Sequence, residues 1–148
     1  MKINSIFFII FFFGSVMIFP QRENHDWKPL IVEEKQKIWY DANQIDTVTT
    51  SPFDVWILEL HRPVLKLEQI SDNIMRTKTL YTVNLKANAF GLKEAVYYDP
   101  ANKEIKRFSY DLLKYSEEQK YIFPITPNSF MEKLVGILVK RSKLRTGS

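Results

Sequence analysis

The fold class the sequence predicts is α+β: one antiparallel sheet of about six strands with a single C-terminal amphipathic helix packed on it. Three observations predict it. Extended, aromatic-rich runs with period-2 alternation fill most of the span from Trp27 to Phe123. Turn residues separate these runs, most clearly Asp99-Pro100-Ala101-Asn102. One amphipathic helical pattern follows, with Phe130, Leu134, Ile137 and Leu138 on one side and Met131 and Val135 beside them.

The chain has 148 residues, enough for one domain. Its net charge is +4, and Lys2, Lys140, Arg141, Lys143 and Arg145 lie at the two ends. The body is therefore near balance, which argues against a nucleic-acid surface. Cysteine is absent, which excludes a disulfide, a thiol nucleophile, a Cys-type metal site and a lipoprotein anchor.

Residues 1–20 have the layout of a secretion signal: Lys2, then an apolar run from Ile6 to Phe19 broken by Gly14-Ser15. No small-x-small pair precedes Gln21, so an uncleaved N-terminal anchor is the competing reading. The organisation that follows is a linker over 21–26, a domain over 27–140 and a basic tail over 141–148.

Within the domain, Trp27–Glu33 reads as a first strand, placed at an edge because Pro29 has no ladder donor. Ile38–Asp41 is the second strand, and Asp41–Asp46 a turn of Asx-type residues, with Thr47–Thr50 extended beyond it. Phe53–Leu60 is apolar on both faces and so belongs in the sheet centre, with Trp56 as core. His61–Met75 shows no clean period and reads as a short helix or an ordered recognition loop. Thr79–Lys86, Phe90–Asp99 and Lys103–Tyr110 alternate as strands, Asp111–Gln119 connects, and Tyr121–Phe123 extends once more. Ser129 and Glu132 form a capping box at the helix start.

Catalytic and metal signatures do not stand out. His25 and His61 each lack a second histidine at ligand spacing, and no H-E-x-x-H, G-x-S-x-G or P-loop occurs. Asp41, Asn43 and Asp46 lack the glycine of a calcium loop and suit a hydrogen-bonded turn. Asp54 and Glu59, five apart on one strand, face opposite sides and cannot pair within it. The expectation is a non-enzyme without cofactor or metal. The candidate interaction surface is Trp39, Tyr97, His61 and Arg62.

Four pieces, in order, carry a family resemblance: the Trp27 strand; Trp39-Tyr40-Asp41 leading to Ile45; Val55-Trp56-Ile57; and Thr126-Pro127-Asn128-Ser129 into the helix, with a Tyr97-Tyr98-Asp99 hairpin between them. Over about Trp27 to Lys140 the chain resembles the bacterial surface-adhesin protein E family. The resemblance implies an antiparallel sheet backed by a C-terminal helix, export to the periplasm or outer surface, and binding rather than catalysis. The implied partner is a protein, a host matrix or serum protein in the best-known member. A second copy of the chain is a further candidate, nucleic acid is not one, and the membrane is met only through the leader. Relatives commonly carry a disulfide from a middle strand to the end of the helix. The matching positions here are Leu85 and Leu138 or Val139, where an apolar contact is the expected replacement.

Overall fold

The computed structural model describes residues 24–45 and 51–146, with side chains described as far as Arg141. Seven antiparallel strands form one sheet: β1 (Trp27–Val32), β2 (Lys37–Asp41), β3 (Phe53–Leu67), β4 (Ile70–Asn84), β5 (Ala89–Tyr98), β6 (Glu104–Ser109) and the short β7 (Phe123–Pro124). Spatial order follows chain order from β1 to β6, and β7 pairs with β5. The predicted fold class holds. Pro29 lies in the edge strand β1, and β3 lies inside the sheet, as the two-sided apolar pattern requires.

Alternation assigns each side chain to a face. Ile38 and Tyr40 of β2, Phe53, Val55 and Ile57 of β3, and Val83 of β4 form the helix-side face. The helix α3 (Phe130–Thr146) closes this face with Met131 and Leu134, both fully buried, and Leu138. Its first turn departs slightly from the expected capping box. Ser129 Oγ accepts from Glu132 N at 3.2 Å, but the Glu132 carboxylate accepts from the N–H of Asn128 at 2.7 Å rather than from that of Ser129. Asn128, at φ 63°, turns the chain into the helix and brings its own N–H within reach.

The stretch His61–Met75 is neither a helix nor a loop. It is the continuation of β3 and β4, two strands of 15 residues joined around Glu68 and Gln69. The pairing shifts between Leu60 and Leu65 and again between Leu65 and Leu67. Each shift inserts unpaired residues and breaks the period-2 pattern, which hid the strand in the sequence. Ile74 and Ile70 are buried opposite Leu65 and Leu67.

Three other stretches differ in detail. The turn after β2 is one helical turn, α1 (Ala42–Ile45), that buries Ala42 and Ile45; Asp46 and Thr47–Thr50 lie outside the described residues. The connection over 111–119 holds a 3-10 turn (Leu112–Lys114) and the helical turn α2 (Glu117–Lys120). Of the positions expected to supply an apolar stand-in for a disulfide, Leu138 belongs to the core, whereas Leu85, in a turn, and Val139 are 38% and 43% exposed. The core of Met131, Leu134 and Leu138 against the sheet ties the helix down instead.

Candidate functional site

The strand register places three rows of side chains on the sheet face away from α3. One row is Lys37, Leu60, Arg76 and Tyr98; the next is Trp39, Leu58, Lys78 and Val96; the third is Trp27, Asp41, Trp56 and Leu80. Where these rows meet the edge strand, a groove of about 270 Å³ is lined by Trp27, Trp39, Leu58, Leu60 and Arg76. Trp39 is half-buried here, in agreement with its expected outward position, and Trp56 is buried at 7% exposure.

One end of the groove is fixed by a buried polar network. Asp41 carries it: the carboxylate accepts from the N–H of Asp26 and of Asn43, each at 3.0 Å, and pairs with His25 Nδ1 at 2.7 Å. With Nδ1 donating to Asp41, Nε2 of His25 accepts from Lys78 Nζ at 3.3 Å. The Lys78 ammonium also stands 4.4 Å from the centroid of the Trp56 ring, a cation–π contact that offsets the burial of a lysine. His25 packs against Trp27, with ring centroids 4.7 Å apart, and edge-on to Trp56. His25 belongs to the stretch expected as linker, yet it holds Trp27 in place at the groove. The sequence cue for it was Asp41 itself, an acid at the end of an aromatic strand.

The charges around the groove are unequal. Asp41 is engaged by His25, Asp54 by Lys93 at 2.5 Å, and both Glu94 and Glu104 by Arg107. These two carboxylates raise the pKa of the Arg107 guanidinium, with the hydrogen bond from Glu104 the largest cause. Arg76 has no acidic partner among the described residues. Its guanidinium carbon lies 5.1 Å from the Tyr98 ring centroid, and its buried Nε has no hydrogen-bond partner.

The four candidate surface residues do not form one surface. Trp39 lines the groove. Tyr97 and His61 are on the helix-side face, where both neighbour Thr77: Tyr97 through the β4–β5 register, and His61 through a 2.7 Å hydrogen bond between Nε2 and Thr77 Oγ1. Burial lowers the pKa of His61 from its ordinary value, partly countered by the charge of Glu59. Burial raises that of Tyr97, with Tyr110 adding to it. Arg62 is exposed beside the irregular stretch of β3.

A second cavity, about 300 Å³, lies between β5 and the 110–123 connection, lined by residues that include Leu92, Tyr110, Leu112, Tyr115, Ile122 and Phe123. Ser116 and Gln119 form a full capping box within that connection, an S-x-x-Q signature that marks the turn in the sequence. No group of metal-ligating side chains occurs among the described residues, and no helix there is long and apolar enough to cross a membrane. Residues 1–20, read as the leader, lie outside the described residues. Comparison with protein-family models, with curated proteins and with solved structures finds no match for this chain.

Proposed function

We propose that this chain is an exported, non-catalytic binding module of the bacterial envelope, adhesin-like, that recognises a protein partner. The observation that carries the reading is the groove between Trp27 and Trp39. Two indoles, two leucines and an arginine without an acidic partner meet on a sheet face that α3 does not cover. Aromatic and arginine side chains in a desolvated cleft are the composition of a binding hot spot. The leader-like layout of residues 1–20 supports export, and the resemblance of Trp27–Lys140 to surface-adhesin protein E supports attachment to a host matrix or serum protein.

The test is a binding panel of matrix and serum proteins against the full chain and its Trp39→Ser and Leu58→Ser variants. Saturable binding that either variant reduces at least about tenfold supports the reading. Binding that both variants leave intact, or no saturable binding to any member, overturns it. A second reading, an envelope structural or assembly protein held by an uncleaved anchor, is favoured by Phe19-Pro20 where a cleavage site needs small residues. N-terminal sequencing of the mature protein separates the two: a start near Gln21 removes the anchor, and retention of residues 1–20 establishes it.

A further inference from the structure

We infer that the groove takes an acidic peptide segment, with an apolar side chain held between Trp27 and Trp39 and a side-chain carboxylate received by the Arg76 guanidinium. This rests on the binding reading above and adds the chemistry of the partner.

Charge decides the sign of the ligand. Four acids that the register places on this face, Asp41, Asp54, Glu94 and Glu104, are already paired as described. Arg76 makes neither an ion pair nor a side-chain hydrogen bond among the described residues, and its Nε is buried. Arg76 lines the groove, and a carboxylate is the group that satisfies a guanidinium with two parallel hydrogen bonds. Lys37, next to Leu60 in the same row, adds a second positive charge with no ion pair among the described residues.

Shape decides that the ligand is a peptide. The groove runs across the strands from β1 to β4, three strand spacings or about 14 Å, which matches about four residues of extended chain. Its volume of about 270 Å³ is small for a cleft that encloses a drug-sized molecule. Arg76 is on an interior strand, and its row continues to Tyr98 on β5, so a chain that reaches Arg76 meets more sheet rather than a wall. That geometry suits an internal acidic side chain better than a terminal carboxylate. Two positive charges are too few to follow a nucleic-acid backbone.

The experiment is a tryptophan-fluorescence titration of the full chain with blocked peptides. The probe alternates leucine and glutamate; the controls carry glutamine for glutamate, lysine for glutamate, or glutamine throughout with a free C-terminal carboxylate. The glutamate peptide is expected to bind at least about tenfold more tightly than each control, with an advantage that shrinks as salt is raised. Arg76→Met is expected to erase the difference between glutamate and glutamine peptides while leaving the circular dichroism spectrum unchanged. Equal affinity for the glutamate and glutamine peptides overturns the inference, as does an Arg76→Met variant that still discriminates, or a free-carboxylate peptide that binds as well. Should Arg76→Met fail to fold, the glutamate and glutamine peptides on the unaltered chain decide alone. If a host protein is bound through Trp39 but acidic peptides gain nothing, this inference falls and the proposed function stands.

Discussion

The carbonyl of Lys120 occupies the space that a side chain on Gly91 would need. The absent Cβ lets the end of α2 lie directly against β5, beside Thr82. A methyl group there meets backbone, not the movable end of a side chain. Gly91→Ala is therefore expected to push the 110–123 connection off the sheet and to cost about 1–3 kcal/mol, as overpacking does. Urea unfolding measures the loss, and limited proteolysis is expected to shift to the 110–123 connection.

Asp41 satisfies three donors at once: the His25 ring and the N–H groups of Asp26 and Asn43. Asp41→Ala removes the acceptor and leaves them unmet in a site that is almost fully buried. The expected cost is about 2–5 kcal/mol by denaturant unfolding. Because His25 braces Trp27 and Trp56, the emission of the folded variant is expected to move to longer wavelength.

His61 gives stability a pH dependence of known sign. Its pKa in the fold is lowered below the ordinary 6.5 by burial. Between the two values the unfolded chain binds the proton and the folded chain does not, so stability rises with pH in that window. Seen from the other side, stability is whole above about pH 6.5 and is lost as pH falls through the lowered value. His61→Gln, which keeps a partner for Thr77, is expected to flatten this part of the curve in melts taken from pH 7.5 to 5.

Leu134 has no exposed surface and is surrounded by the sheet, so Leu134→Ala is expected to cost about 2–5 kcal/mol. Leu113 is 90% exposed on the connecting loop, and Leu113→Ala is expected to stay within about 0.5 kcal/mol. The same denaturant series checks both.

The sequence is legible where one force sets the pattern. Tyr81, Val83 and Leu85 alternate because a face is buried, and the strand they mark is there, although Leu85 itself lies just past its end. Asp99 and Asn102 are read correctly as a turn because their chemistry is local: the Asp99 carboxylate accepts from Lys103 N at 2.9 Å, and Asn102 takes φ 72°. The hairpin arm over His61–Met75 is illegible because shifts in register cancel the alternation. The groove is half legible. Trp39 is marked as outward by its neighbours Ile38 and Tyr40, but Trp27, Leu58, Leu60 and Arg76 meet it only through pairings that no local pattern encodes. Tyr97 and His61 share the conspicuous chemistry of Trp39 and fall on the other face for the same reason.

The meander order of β1 to β6 has a consequence for the chain as it is made. Each new strand pairs with the one just completed, so the sheet can assemble in step with synthesis and with short loop closures. The face that holds Ile38, Val55, Ile57 and Val83 stays bare until Phe130–Leu138 arrives at the very end. A ribosome-bound or truncated chain that stops before Phe130 thus carries a finished sheet with one greasy side.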